Sequence, residues 1–102
     1  MNSFEHIDEI KSFLNEQGQL VKYPTKFKRQ IFALFYLASK FERNREYTEK
    51  EVNEVLKDWH TFEDWAMLRR DLYDRRFLNR KQDCSLYWLE EEQPTLASFG
   101  FE

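Results

Sequence analysis

Residues 46–89 decide the fold, and they read EYTEKEVNEVLKDWHTFEDWAMLRRDLYDRRFLNRKQDCSLYWL. The stretch opens with a short β-like step at residues 46–48. Thr48 and Glu51 then form a capping-box pattern, in which each side chain bonds the backbone N–H of the other residue. The apolar residues that follow keep helical spacing, so the sequence predicts a helix from the capping box to about Asp58.

The second half of the stretch predicts another helix and a hairpin. Residues 59–61 form a tight joint, and a helix begins at Thr61 or Phe62, with Glu63 and Asp64 favouring its positive N-terminus. This second helix is rich in arginine. Two short apolar and aromatic runs, residues 77–80 and 85–89, read as strands on either side of a turn at residues 82–84.

Strand, helix, turn, helix and hairpin, in that order, are typical of a winged helix-turn-helix. We therefore expect a mainly α fold with a small β-hairpin, and a single winged-helix-like domain over residues 1–89. An extra N-terminal helix is predicted over residues 4–16, and a central helix, apolar nearly all round, at about residues 26–40 with Thr25 as its cap. Residues 90–102 read as an acidic, flexible tail, with docking of Leu96, Phe99 and Phe101 on a groove as the alternative.

Composition agrees with a small intracellular domain. The chain has 102 residues, of which 41% are hydrophobic and 18% aromatic, enough for one modest core. Its one cysteine, Cys84, cannot form an internal disulfide. The start of the chain lacks the features of a signal peptide, and no apolar run is long enough to span a membrane. These features predict a cytoplasmic protein with no membrane partner.

The net charge of -3 conceals two basic clusters. One is the arginine helix with the strand that follows it, where an exposed helix face can enter the major groove of DNA and arginine can bond guanine or a phosphate. The alternative is a solvated helix with the i,i+4 pairs Arg70–Asp74 and Asp71–Arg75. The candidate nucleic-acid-binding residues are Arg69, Arg70, Arg75, Arg76, Arg80 and Lys81.

The second basic cluster lies at the start of the central helix. Residues 19–41 contain no acid. Free backbone N–H groups and the helix dipole at such a position attract anions. The alternative is a solubilising surface that pairs with the acidic N-terminal segment. The candidate anion-binding residues are Lys22, Tyr23, Thr25, Lys26, Lys28 and Arg29.

Three local patterns together resemble an uncharacterised bacterial domain family, over about residues 10–89. They are LVKYPTKFKR at residues 20–29, YTEKEVNEVL at residues 47–56, and LRRDL at residues 68–72 leading to FLNR and YW. The resemblance implies a winged-helix-like module that occurs alone or attached to transcriptional regulators, without an established activity. It also implies family matches at Lys22, Tyr23, Pro24, Lys26, Lys28, Arg29, His60, Arg69 and Arg70.

The hairpin turn departs from the family pattern. Asp83 and Cys84 stand where the family usually has Asp-Gly, and the absence of glycine disfavours a two-residue type I′ turn. We therefore expect a longer loop at the tip of the hairpin.

No cofactor or catalytic constellation is predicted. His60, Glu63 and Asp64 match no strong metal motif, and helix capping explains the two acids better. Cys84 has no histidine nearby in sequence, so the chain is not expected to be an enzyme. Aromatic residues such as Trp59 and Trp88 can stack single-stranded bases, but a core role is the commoner outcome in a domain of this size.

The leading functional hypothesis is a cytoplasmic winged-helix-type module, related to transcription regulation, that binds double-stranded DNA either weakly or as a homodimer. The alternative comes from a different class. It is a protein-interaction or ligand-sensing module that uses the basic cluster of residues 22–29 to hold an acidic protein segment or a small anion, without binding DNA.

Overall fold

The computed structural model describes residues 6–101 and confirms a mainly α fold with a small β-hairpin. Helix α1 spans Phe27–Ala38, α2 spans Glu49–Trp59, and α3 spans Trp65–Asp74. Strands β1 (Leu78–Arg80) and β2 (Tyr87–Leu89) follow. Short 3₁₀ turns lie at Ile7–Glu9, Lys11–Phe13 and Ala97–Phe99. No helix in the described residues is long and apolar enough to cross a membrane.

Helix α1 is the centre of the core, as its sequence predicts. An all-round apolar helix must be covered on every side, and the other elements surround this one. Its first residue is Phe27 and its N-cap is Lys26, which makes no capping bond through its side chain. The prediction that Thr25 caps the helix is therefore wrong. The buried residues of α1 are Ile31, Phe32, Ala33, Leu34, Tyr36, Leu37 and Ala38.

The capping box at the start of α2 is confirmed. Thr48 Oγ1 accepts the N–H of Glu51 at 3.1 Å, and Glu51 Oε1 accepts the N–H of Thr48 at 2.9 Å. Helix α3 begins later than predicted, at Trp65. Glu63 has a left-handed φ of 56°, which interrupts any helix that starts at Thr61. The Asp64 carboxylate then caps α3 by accepting the N–H of Met67 at 3.3 Å.

The hairpin is antiparallel, with Leu78 opposite Leu89 and Arg80 opposite Tyr87. Tyr47 and Tyr87 form a further antiparallel bridge, so the β-like step before α2 lies against the outer edge of β2. The Lys81 N–H bonds Leu86 C=O and closes a loop longer than a two-residue turn, in agreement with the missing glycine. This arrangement is compatible with a winged helix.

The predicted N-terminal helix is wrong for the part of it that is described, while residues 4–5 lie outside that part. The chain forms two 3₁₀ turns there, and Leu14 then bridges Leu20 in antiparallel fashion. The reason lies in Asn15, whose side-chain oxygen accepts the N–H groups of Gln17 and Gln19. Such local bonds compete with helix, and Gly18, at a φ of 79°, completes the reversal.

Residues 90–101 follow the surface of the core. Leu96, Phe99 and Phe101 pack against buried residues. The ring of Phe99 stacks on that of Phe77, with centroids 6.0 Å apart. The ring of Phe101 lies 6.0 Å from that of Phe27, at the start of α1.

Candidate nucleic-acid interface on the third helix

Helix α3 divides its side chains between the core, two flanks and an outer side. At about 100° per residue, Leu68 and Leu72 share the inner side, and both are fully buried. Ala66, Arg70 and Asp74 share the opposite side, and all three are exposed. The neighbouring arginines at 69 and 70 therefore point in different directions.

Arg69 belongs to the flank that faces α2. Its side chain is 18% exposed and lies 3.6 Å from the Glu49 carboxylate. It also donates to the side-chain oxygen of Asn53 and interacts with Tyr87. These contacts tie α3 to α2 and to the hairpin. They engage the donors of the guanidinium, so we assign Arg69 a structural role.

Arg70 lies at the centre of the outer side. In residues 6–101 it makes no ion pair within 4 Å, and the predicted pairs Arg70–Asp74 and Asp71–Arg75 are both absent. The guanidinium therefore faces solvent beside the exposed Asp74. This position is the one from which a recognition helix contacts DNA.

Asp71 is turned away from the outer side. Its Oδ2 accepts a 2.8 Å hydrogen bond from the Tyr23 hydroxyl. Burial, together with this bond to a carboxylate, raises the pKa of Tyr23 well above its usual value, so the hydroxyl stays protonated and remains a donor. The bond fastens the segment before α1 to the second flank of α3. The exposed Lys22, next to Tyr23, is thereby held near this helix.

The hairpin tip, which is the wing, lies on the other flank of α3. The guanidinium of Arg80 stacks 4.2 Å from the ring centre of Tyr73, a residue of α3. The same guanidinium donates to Cys84 Sγ at 2.9 Å and to the C=O groups of Lys81 and Gln82 at 3.3 Å. Arg80 thus braces the tip against α3. We use the name α3–wing face for Arg70 on the outer side of α3 together with Arg80 and the exposed Lys81 at the hairpin tip.

Arg75 and Arg76 do not belong to this face. Arg75 lies over the ring of Phe27, 4.9 Å from its centre, at the start of α1. Arg76 lines an open depression with Glu92 and Phe99 of the tail. The six predicted nucleic-acid-binding residues therefore divide among four places, and three of them, Arg70, Arg80 and Lys81, are assigned to the α3–wing face.

The second basic cluster lies around Phe27 at the start of α1. We call it the Phe27 cluster, and it comprises Lys26, Phe27, Lys28 and Arg75. Lys26 and Lys28 are exposed, no acid lies in the first turn of α1, and the ring of Phe27 is 43% exposed. Lys28 lies 5.6 Å from the ring centre of Phe101. Arg29 is partly engaged, because its Nε donates to the C=O of Glu9 at 3.3 Å. Of the remaining candidates, Thr25 is exposed and Tyr23 is held by Asp71.

Two contributors to these surfaces were missed from the sequence. The guanidinium of Arg80 stacks on the ring of Tyr73, and that of Arg75 stacks on the ring of Phe27. Tyr73 follows Arg70 by three residues, so helical spacing alone places it beside that arginine. The contact between Phe27 and Arg75 joins distant segments and left no local signal.

His60 is a structural residue of the joint between α2 and α3. It is 4% exposed, its Nδ1 lies 2.6 Å from the Leu56 C=O, and its Nε2 accepts the Asp64 N–H at 2.9 Å. Both ring nitrogens are thus used, with the proton on Nδ1. Within residues 6–101, no three side chains of His, Cys, Asp or Glu are placed to hold a metal ion.

A model of a protein family described as "uncharacterized protein conserved in bacteria (DUF2087)" matches residues 19–89. The chain belongs to the DUF2087 family. The matched range contains all three α-helices and ends with β2, so the α3–wing face lies within the DUF2087 domain, as does the Phe27 cluster. Comparison with the curated proteins and comparison with the solved structures each returned no match.

Proposed function

We propose that this DUF2087 domain is a DNA-binding module related to transcription regulation, and that it acts in the cytoplasm. One observation carries the proposal. Arg70 lies at the centre of the exposed side of α3 and has no ion pair within residues 6–101, while the adjacent Asp71 is bonded to Tyr23. An aspartate on the same side would repel phosphates, and this bond holds one of the two acids, Asp71, on the flank of α3.

The α3–wing face supplies the groups that a duplex needs. In the proposed complex, Arg70 would bond a base edge or a phosphate in the major groove. Arg80 and Lys81 lie at the wing, where a basic tip can neutralise the flanking phosphates. Since Tyr73 and the turn carbonyls fix the guanidinium of Arg80, little side-chain entropy is lost when it meets a phosphate.

Three cations give weak binding by one domain. Three phosphate contacts correspond to a slope of about -3 in a plot of log affinity against log salt concentration. The net charge of -3 and the exposed Asp74 lower the affinity further. We therefore propose that a homodimer, with two α3–wing faces on one duplex, is the form that binds DNA tightly.

The test is a titration of a labelled random-sequence duplex by fluorescence anisotropy at several salt concentrations between about 50 and 200 mM. We expect a slope of about -3 per domain, and Arg70→Ala should weaken binding to the random-sequence duplex and reduce the slope by about 1. Lys81→Ala should reduce the slope by about 1. Absence of binding at the lowest salt concentration would refute the proposal.

Arg43→Ala is the matched control. Arg43 is also an exposed arginine, and its guanidinium donates to the Glu91 C=O near the base of the hairpin, at the opposite end from the wing tip. Its removal deletes the same charge from the protein without touching the α3–wing face. Equal losses in Arg43→Ala and Arg70→Ala would show that only net charge matters.

A second candidate function is favoured by the Phe27 cluster. Arg75, which directly follows α3, reaches the start of α1, which has no side-chain cap and no acid in its first turn. These features support binding of a small anion or an acidic protein segment there. Inorganic phosphate should then raise the melting temperature of the wild-type protein and leave that of Lys28→Glu unchanged. The Arg70→Ala variant, which keeps the cluster, should respond like the wild type.

A further inference from the structure

A cleft of about 780 Å³ opens at the base of the hairpin. One wall is the loop that leads out of α1 towards α2, at residues 43–46, and the other wall is the end of β2 with the residues after it. Trp88 and Leu89, the last two residues of β2, line the cleft, and Trp88 is half-buried. The wing tip is at the other end of the hairpin, so the cleft is separate from the α3–wing face.

The cleft lies where the pairing along one edge of β2 stops. Tyr47 and Tyr87 exchange two backbone bonds, of 2.8 and 2.7 Å, across this edge. In an antiparallel ladder the outward-facing N–H and C=O groups recur at every second residue, so those of Leu89 point to the same side as those of Tyr87. The bridge at Tyr47 is isolated, and within residues 6–101 no backbone partner meets Leu89 on this side.

The opposite wall turns away because of Asn44 and Arg45. Continued pairing would bring Arg45 opposite Leu89. Within residues 6–101 this pair does not form, and Asn44, the residue before Arg45, has a left-handed φ of 61° that turns the chain just beyond this register. The guanidinium of Arg45 stacks 4.5 Å from the ring centre of Tyr47 and lies 3.3 Å from the Glu42 carboxylate. The strand edge is thus left open by specific local contacts.

The lining of the cleft carries an excess of negative charge. Arg45 is already paired with Glu42, which leaves Arg43 against Glu46, Glu90 and Glu91. Arg43 donates to the C=O of Glu91 at 3.3 Å and so spans the cleft mouth with one long hydrogen bond. A bond of this length between exposed residues is easily displaced.

We propose that the cleft binds an extended, basic segment of a partner protein, which adds to the free edge of β2. The backbone of the segment would bond the N–H and C=O of Leu89, as in other cases of strand addition to a sheet edge. Its lysine or arginine side chains would meet Glu46, Glu90 and Glu91. The indole of Trp88 offers a surface for the stem or the charge of one of these side chains. This activity is independent of DNA binding.

Charge selects the class of partner. An acidic segment would face three glutamates, and DNA would be repelled from the same surface. A small free cation has no peptide backbone that could pair with β2, so only its attraction to the three glutamates would hold it. Pairing to the backbone, combined with preference for basic side chains, is therefore the signature of the proposed partner.

The experiment uses the full chain and a labelled seven-residue peptide of alternating lysine and valine, read by fluorescence anisotropy. The matching glutamate–valine peptide is the first control. We expect the basic peptide to bind and the acidic one not to bind. Reversal of the lining charge in the double variant Glu90→Lys, Glu91→Lys should weaken binding at least tenfold. Arg43→Ala should strengthen binding several-fold, because it removes a like charge and the bond across the cleft mouth.

A backbone readout separates strand addition from simple charge attraction. Hydrogen exchange at the Leu89 amide should slow when the peptide is bound, and a peptide methylated on alternate backbone nitrogens should lose binding. Equal binding of argininamide, unchanged exchange at Leu89, or no binding of the basic peptide would each overturn the proposal. The charge-reversed variant must keep the wild-type melting temperature, and Glu90→Gln, Glu91→Gln serves as a milder version if it does not.

Discussion

The two adjacent arginines of α3 occupy regions with opposite character. Arg69 lies on the flank that faces α2, where Glu49 and Asn53 engage its guanidinium. Arg70 lies on the outer side, exposed and without an ion pair within 4 Å in the described part of the chain. Only about 100° of helix rotation separates them.

This difference shows that a local count of basic residues overstates the basic surface. Of the six basic residues between 69 and 81, one holds α3 to α2, two reach the tail and the start of α1, and three form the α3–wing face. Arg69, on the flank, affects the binding surface only indirectly, because it holds α3 against α2 and the hairpin. The outer residues are the ones available to a partner.

Arg69→Ala should give the largest loss of stability among the polar residues of α3. It removes a charged hydrogen bond to the partly buried Asn53 and the contacts of Arg69 with the Glu49 carboxylate and with Tyr87. We expect the free energy of unfolding to fall by about 2 kcal/mol. Urea unfolding measures this quantity, with an unchanged slope as evidence that the fold is kept.

Arg69→Lys is the control for that variant. Lysine retains the charge near Glu49 but not the planar fork of donors, so it should recover only part of the loss. A stability for Arg69→Ala equal to that of the wild type would remove the distinction between the two arginines.

Tyr23→Phe should have an intermediate effect. It deletes the bond from the Tyr23 hydroxyl to Asp71 and should cost about 1 kcal/mol. The freed carboxylate of Asp71 should then lower DNA affinity, although Tyr23 itself lies outside the α3–wing face. Unfolding and duplex titrations on the same sample measure both effects.

Tyr73→Phe is matched to Tyr23→Phe. The Tyr73 hydroxyl makes no hydrogen bond within residues 6–101, and the ring beneath Arg80 is kept. Removal of the Tyr73 hydroxyl should change neither the free energy of unfolding nor the DNA affinity. If both phenylalanine variants behave alike, Asp71 is not controlled by Tyr23.

Arg70→Ala should have the smallest effect on stability, within about 0.5 kcal/mol of the wild type, because an exposed side chain without partners contributes little to folding. Thermal unfolding gives the comparison. A loss as large as that of Arg69→Ala would mean that Arg70 also has a structural role and would argue against a free binding surface.

Much of the fold could be predicted from the sequence, because its strongest signals are local. The capping box of Thr48 and Glu51, the apolar run of α1 and the two strands around Asp83 all depend on residues close in the chain. The N-terminal helix was predicted wrongly, since its apolar spacing is helical while Asn15 and Gly18 turn the chain back.

The candidate site was less predictable, because the partners of each charge come from elsewhere in the chain. Helical spacing places Arg69 and Arg70 on different sides of α3. No local sequence pattern shows that Arg69 contacts Glu49 and Asn53. The bond between Tyr23 and Asp71 joins residues 48 positions apart. The open edge of β2 at Leu89 depends on how residues 43–46 bend, which only the fold determines.

The most direct test of the central claim is an NMR titration of the full chain with a random-sequence duplex at low salt. We expect the amide signals of Ala66, Arg70 and Lys81 to shift together, those of Arg43 and Glu91 to stay in place, and Arg70→Ala to reduce the shifts. Shifts confined to residues 22–29, or to the base of the hairpin, would contradict it.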